Sequence, residues 1–97
     1  MSGYIIVHVK IHDPQEFKRY LKAFSEEFKE FPGKILVATN DAEILEGDLP
    51  SKLRTVVMKF PSMDEAREWY RSEKYQKIAP IRWGSATGDM MLVQGLS

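Results

Sequence analysis

The sequence predicts an α+β fold in which a four-stranded antiparallel sheet carries two main helices on one face. Three observations predict it: a strand-helix-strand pattern occurs twice, both helices have clear start signals, and the strands are rich in β-branched residues. Because 97 residues with 43% hydrophobic side chains suffice for one core, residues 1–97 should form a single domain. The chain has no cysteine, so no disulfide supports that core.

The overall charge excludes one large class of partners. Fourteen basic and fourteen acidic residues give a net charge of zero, whereas nucleic-acid binding requires a basic surface. No run approaches the roughly 18 apolar residues that span a bilayer, and the N-terminus lacks the pattern of a signal peptide. We therefore expect a cytoplasmic protein with neither nucleic acid nor membrane as a partner.

The first half begins with a strand and a capped helix. Residues Tyr4 to Ile11 have the composition of a strand. Asp13 is the expected N-cap, Pro14 suits the first helical position, and Glu16 would complete a capping box. The helix should end at Pro32-Gly33. Its predicted buried face is Phe17, Tyr20, Leu21, Phe24, Phe28 and Phe31, and its polar face is Lys18, Arg19, Lys22, Glu26, Glu27, Lys29 and Glu30.

The middle of the chain contains two strands and the link between them. Lys34 to Thr39 is predicted to be the second strand, and Leu53 to Phe60 the third. Between them we expect a short extended piece from Glu43 to Glu46, followed by a loop from Gly47 to Pro50.

The second helix repeats the start signal of the first. Ser62 followed three residues later by Glu65 again predicts a capping box, now directly after a strand that Pro61 closes. The inward face of this helix is predicted to be Ala66, Trp69 and Tyr70.

The last quarter of the chain should be less regular. Ser72 predicts a second cap, for a short helical turn that Pro80 would end. Arg82 to Gly84 then reads as an irregular link, and Thr87 to Val93 as the closing strand.

The two halves of the chain align with each other. Val7 to Leu21 matches Val56 to Tyr70 in register, with strand, cap and inward aromatic positions in common. Two such units with right-handed crossovers combine most simply into a ferredoxin-like βαββαβ subunit. The alternative is a chance likeness, because capped helices that follow strands resemble one another.

The strand patterns predict a partner for the open face of the sheet. On the first strand, Ile6 and His8 point away from the helices, and Val57 does so on the third. Both other strands are apolar on both faces. Because two helices cover only one face, we expect a homodimer in which two sheets face each other.

The sequence also resembles a known family. The residues that carry the resemblance are Asp13-Pro14, Leu45-Glu46-Gly47-Asp48, Phe60-Pro61-Ser62, the series Trp69, Tyr70, Ser72 and Tyr75, then Arg82, and finally Ala86-Thr87-Gly88. Together they are similar to the bacterial DUF1330 family, small proteins of undefined function. The resemblance implies a ferredoxin-like subunit in a dimeric α+β barrel. The chain departs from the family pattern at Pro80 and Ile81 to Gly84, where an alanine-rich segment is common.

Eight residues are candidates for chemistry or binding. His8 could act as an acid or base, since imidazole titrates near neutral pH, although a structural role is the alternative. Arg82 and Arg54 could hold an anion through their planar guanidinium groups, unless an internal acid such as Glu46 pairs with them. Glu46 is itself a candidate ligand-binding residue.

The aromatic candidates have two interpretations. Tyr20, Trp69, Tyr70 and Tyr75 could be core residues, or they could line a pocket between sheet and helices, where Tyr20 could be an acid or base. No cofactor is expected, because no GxGxxG follows a strand and no histidine follows His12 to ligate haem. No metal site is expected either.

Two functions are compatible with these residues. The first is a small metal-free enzyme that performs proton transfer or oxygenation on an aromatic or enolisable substrate. The second is a non-catalytic dimeric module that binds a small metabolite or serves only as structure.

Overall fold

Four strands form one antiparallel sheet in the computed structural model, which describes residues 1–97. The strands are β1 (Gly3–Ile11), β2 (Lys34–Thr39), β3 (Arg54–Phe60) and β4 (Ala86–Gln94), in the order β2-β3-β1-β4. This order is that of the ferredoxin-like fold, so the predicted fold class is confirmed.

The helices lie on one face of this sheet. They are α1 (Pro14–Glu27), which a 3-10 turn continues over Phe28–Glu30, then α2 (Met63–Arg71) and α3 (Glu73–Ser85). Each α-helix has a side-chain N-cap, because Asp13, Ser62 and Ser72 accept the backbone N–H three residues ahead at 3.3, 3.1 and 3.2 Å. The three predicted caps are confirmed.

The predicted capping box also required the Glu16 carboxylate to accept a hydrogen bond from the backbone N–H of Asp13, and that part of the prediction is wrong. The Glu16 carboxylate binds Arg19 at 2.7 Å. The backbone N–H of Asp13 donates instead to the carbonyl of Ser85, 3.0 Å away, and the N–H of His12 donates to the same carbonyl at 2.9 Å. The carbonyl of Ser85, at the end of α3, therefore accepts the hydrogen bond that the sequence predicted for the Glu16 carboxylate.

The predicted stop at Pro80 and the predicted link from Arg82 to Gly84 are also wrong. Helix α3 continues through Pro80 to Ser85. A proline inside a helix costs about 3 kcal/mol because it removes a hydrogen bond and crowds the preceding turn. Burial on both sides of Pro80 offsets that cost, since one face of α3 is buried along its whole length at Tyr75, Ala79, Arg82 and Ser85.

The predicted extended piece from Glu43 to Glu46 is not a strand. This segment lies in the long connection from β2 to β3, and β2 is the edge of the sheet. Its residues make no backbone hydrogen bond to β2 or to any other strand, and such pairing is what makes an extended segment a strand. Leu45 is 85% exposed as a result.

The core is aromatic and centres on α2 and α3. Trp69, Tyr75 and Phe60 are each 0% exposed, and the Trp69 and Tyr75 ring centroids are 4.3 Å apart. Tyr70 does not belong to the core, contrary to prediction, because it is 37% exposed. Consecutive residues of a helix are about 100° apart around its axis. Because the Trp69 side chain points into the core, the next side chain, Tyr70, points toward the surface.

The other face of the sheet is apolar at its centre. Ile6 lies between Val57 and Met91, and Val37 extends this row across β3. Met91 and Val37 are 47% and 39% exposed. None of the three helices has the length and hydrophobicity that crossing a membrane requires.

Gly88 should be intolerant of any side chain. A Cβ there would lie 1.9 Å from the carbonyl oxygen of His8 on the neighbouring strand. We expect Gly88→Ala to lower the free energy of unfolding by about 1–3 kcal/mol, the range of overpacked sites. Urea denaturation measures it.

Gly84 provides the matched control. A Cβ at Gly84 has no atom within 4 Å, so Gly84→Ala should leave stability equal or raise it by up to about 1 kcal/mol through helix propensity. Equal unfolding midpoints for the two variants would contradict the steric explanation.

Candidate functional site

A small cavity lies between α1 and the sheet. Its volume is about 30 Å³, which is room for a water molecule or two. Apolar side chains of the sheet and of α1 form most of the wall, and three polar side chains complete it. The apolar residues are Val7, Val9, Phe17, Leu21, Phe24, Val56, Met58 and Met90, and the polar ones are Tyr20, Arg54 and Arg82.

Three of the candidate residues form one hydrogen-bonded chain beside this cavity. The hydroxyl oxygens of Tyr20 and Tyr75 are 2.9 Å apart. The Nε–H of Arg82 donates to the Tyr75 hydroxyl oxygen at 3.3 Å. All three side chains are buried. Residues from α1 and α3 thus meet in a single polar network inside an apolar core.

Both tyrosines remain protonated at neutral pH. Burial raises the pKa of Tyr20 far above its ordinary value, and the adjacent Tyr75 hydroxyl raises it further. Burial also raises the pKa of Tyr75, although its hydrogen bonds with Tyr20 and Arg82 lower it in part. Where Tyr75 donates to Tyr20, the Tyr20 hydrogen is left for a ligand in the cavity. Tyr20 therefore keeps its hydroxyl hydrogen at neutral pH and can act as a hydrogen-bond donor.

Arg82 carries an unneutralised charge in the core. It is 6% exposed, and no carboxylate lies within ion-pair distance of it. Nε makes the one hydrogen bond of its guanidinium within the chain. A buried charge ordinarily has a counterion, so this group is a candidate anion-binding site.

Arg54 adds a second cation to the same wall. Its Nε is buried without a hydrogen-bond partner, and Nη1 reaches only the Asn40 amide oxygen, at 3.5 Å. The predicted alternative of pairing with Glu46 is not what the structure contains, because Glu46 lies exposed in the β2–β3 loop. Two guanidinium groups thus line the cavity without a carboxylate partner.

Trp69 has a polar partner that sequence reasoning missed. Its indole Nε1–H donates to both carboxylate oxygens of Glu27, at 2.9 and 3.2 Å. Glu27, predicted to lie on the polar face of α1, is 8% exposed, and that prediction is wrong. The sequence does contain a signal for this burial. Glu27 follows Tyr20 by seven residues and Phe24 by three, which places it on the buried face of α1.

The remaining candidates lie away from the cavity. His8 pairs with Thr55 and Asp89 across the neighbouring strands, on the face opposite the helices. Tyr70 lies at the edge of the core, with its ring centroid 5.6 Å from that of Tyr75. No three histidine, aspartate or glutamate side chains lie close enough together to hold a metal ion.

The whole sequence fits one protein family. A family model described as "Domain of unknown function (DUF1330)" matches residues 2–96. The chain belongs to this family. A search among proteins of curated function finds no match to the DUF1330 sequence described here.

Solved structures share the fold of this DUF1330 protein. The RPA0582 protein of unknown function from Rhodopseudomonas palustris superposes with a TM-score of 0.77 and 15% identity, over 99% of this chain and 83% of that chain. SnoaB, a cofactor-independent oxygenase from Streptomyces nogalater, superposes with a TM-score of 0.64 and 15% identity, over 99% of this chain and 94% of that chain. A hydroxynitrile lyase from Passiflora edulis superposes with a TM-score of 0.66 and 9% identity, over 99% of this chain and 96% of that chain. At these identities the likeness establishes the fold alone.

The burial of Glu27 predicts that the stability of this DUF1330 protein depends on pH. Burial raises the pKa of the Glu27 carboxyl, and the hydrogen bond from Trp69 lowers it in part. The folded chain therefore keeps this proton to a higher pH than the unfolded chain does. The free energy of unfolding should fall as pH rises from the ordinary glutamate pKa through the raised one.

We expect Glu27→Gln to weaken this dependence, because glutamine does not ionise and its carbonyl still accepts from Trp69. Urea unfolding at a series of acidic to neutral pH values measures it. Glu26→Gln, at an exposed neighbouring position, is the control and should follow the wild type. Parallel curves for wild type and Glu27→Gln would show that Glu27 titrates normally.

Proposed function

We propose that this protein binds a small aromatic or enolisable acid in the cavity beneath α1 and stabilises its anionic form without a metal. The observation that carries the proposal is Arg82, a guanidinium 6% exposed that lacks a carboxylate partner and lies on the cavity wall. Arg82 is the anion anchor in this proposal, and Tyr20 is the hydrogen-bond donor.

The energetics favour a negatively charged ligand. Desolvation of Arg82 costs free energy that no acid of the chain offsets. An anionic oxygen of a ligand would accept charge-assisted hydrogen bonds from the free terminal nitrogens of Arg82. Such bonds are stronger than hydrogen bonds between neutral groups. The buried, unpartnered Nε of Arg54 supports the same conclusion.

The chemistry available here is stabilisation of an enolate. A carbon acid loses its α-proton to solvent, and the electron pair moves to the oxygen that Arg82 and Tyr20 hold. Return of a proton to a different carbon completes a tautomerisation with no change in oxidation state. Tyr20 suits the role of hydrogen-bond donor because its raised pKa keeps the hydroxyl protonated at neutral pH.

Two structural relatives support related chemistry on this fold. SnoaB is described as a cofactor-independent oxygenase, and the Passiflora edulis protein as a hydroxynitrile lyase. In the oxygenase version of the proposal, dioxygen is the oxidant: the carbon of the bound anion forms a C–O bond to it, and protonation gives a hydroperoxide. Cleavage of the O–O bond with loss of water then leaves a carbonyl group at that carbon. A role as acid or base for His8, which lies on the opposite face of the sheet, stays a prediction. A cytoplasmic location also stays a prediction from the sequence.

The second candidate is a non-catalytic dimeric module. The observation that favours it is the volume of the cavity, about 30 Å³, against roughly 300–1,000 Å³ for sites that hold drug-sized ligands. A ligand larger than a few atoms enters only if α1 or a wall side chain moves. The enzyme proposal therefore requires an opening of the cavity, and a module that serves only as structure does not.

Arg82→Gln tests the anion anchor. Aromatic acids that stabilise the wild type in a thermal-shift screen should bind the variant roughly 10- to 150-fold more weakly in calorimetry, because a charged hydrogen bond contributes about 1.5–3 kcal/mol. Arg19→Gln, which changes an exposed arginine of α1, should bind like the wild type. Circular dichroism verifies that both variants fold, and equal affinities for both would remove Arg82 from the site.

We also propose a homodimer that buries the outer face of the sheet. The apolar row of Val37, Val57, Ile6 and Met91 supports it, since exposed apolar patches of this kind mark interfaces.

Val57→Glu tests this homodimer, because it introduces a charge at the centre of the row. We expect sedimentation equilibrium at micromolar concentration to give the dimer mass for the wild type and the monomer mass for Val57→Glu. Leu96→Glu, at a fully exposed tail position, should stay dimeric. A monomeric wild type would contradict the proposal.

A further inference from the structure

A second and larger concavity lies between α2 and the edge strand β4. Its volume is about 350 Å³, which falls in the range of small-molecule sites. Residues of β1, α2 and β4 form it: Ile5, Ala66, Arg67, Tyr70, Arg71, Met90, Met91 and Leu92. We refer to it as the α2–β4 groove.

The α2–β4 groove combines an apolar floor with a basic rim. Ile5 and Ala66 are buried beneath it, at 2% and 0% exposure. Arg67 is already paired with Asp64 at 3.0 Å, whereas Arg71 has no carboxylate partner within the chain. Tyr70 presents a half-exposed ring beside the arginines. These features suit a ligand with a flat apolar body and an acidic group at one end.

One side chain is common to the groove and the inner cavity. Met90 lines both spaces, and no other residue does so. Methionine has three rotatable bonds and adapts easily to a changed neighbour. A change of the Met90 rotamer is therefore the movement by which the groove would open toward the cavity that contains Arg82.

We propose that the α2–β4 groove is the outer half of the ligand site and that Met90 is the partition between the halves. The ligand class is an elongated aromatic acid with two acidic oxygens. Its carboxylate lies at Arg71, its ring lies on the groove floor, and its enolic or phenolic oxygen reaches Arg82. This inference rests on the proposed function, and it supplies the volume that the inner cavity lacks.

Methionine methyl NMR gives a direct test. The chain has five methionines, so each labelled methyl signal can be assigned by substitution. The probe is a naphthoate that carries a hydroxyl at the opposite end of the ring system. We expect it to shift the signals of Met90 and Met91 and to leave those of Met1 and Met63 unchanged.

Substitutions assign the two ends of the probe. Arg71→Gln should weaken binding of the hydroxynaphthoate about tenfold, the effect of losing one charged hydrogen bond. Arg82→Gln should weaken the hydroxynaphthoate but not naphthoate, which lacks the inner oxygen. Arg19→Gln should change neither. Met90→Ala should strengthen binding of the hydroxynaphthoate relative to Met91→Ala, because only Met90 lies between the two spaces.

The outcomes separate this inference from the proposed function. Binding that depends on Arg82 but not on Arg71, with an unshifted Met91 signal, would overturn the groove and keep the inner anion site. Binding that depends on Arg71 but not on Arg82 would overturn the joined site together with the proposed inner anchor. A change in dimer mass in Arg71→Gln, with unchanged ligand binding, would overturn the inference in favour of a subunit contact.

Discussion

A hydrogen bond between two buried tyrosine hydroxyls, 2.9 Å apart, joins the two long helices of this protein. Tyr20 comes from α1 and Tyr75 from α3, and Arg82 donates to the second hydroxyl. Buried polar groups of this kind are costly unless they are paired. The pairing therefore fixes how α1 lies against α3, and it holds a polar network beside the cavity beneath α1.

The charge distribution around that network is a property of position and not of composition. The chain has equal numbers of acidic and basic residues, yet Arg82 and Arg54 lack acidic partners. The acids that could neutralise them are occupied or distant: Glu27 accepts from Trp69, Glu16 pairs with Arg19, and Glu46 lies in an exposed loop. A neutral protein thus keeps two arginines without acidic partners at one cavity, which is the physical basis of the proposed anion site.

Local signals in the sequence were accurate where the interaction is itself local. Asp13, Ser62 and Ser72 cap helices because each side chain reaches a backbone N–H three residues ahead. Pro80 failed as a stop signal because burial of Tyr75 and Arg82 on the same helical face outweighs its cost. Glu16 failed as a capping partner because the carbonyl of Ser85, distant in sequence, occupies the N–H it would have bound.

Periodicity and capping were enough to predict the four strands, the helix starts and the ferredoxin-like order, because these signals depend on neighbours within one turn or one strand. Residue types also indicated Tyr20, Trp69, Tyr75, Arg54 and Arg82 as residues of interest. Which of these side chains contact one another depends on the packing of distant elements. The Tyr20–Tyr75 bond spans 55 positions and the Trp69–Glu27 bond spans 42, and contacts at such separations follow from how helices pack on the sheet. The position of His8 on the opposite face, by contrast, was predicted from the sequence, since alternate residues of a strand point to opposite sides.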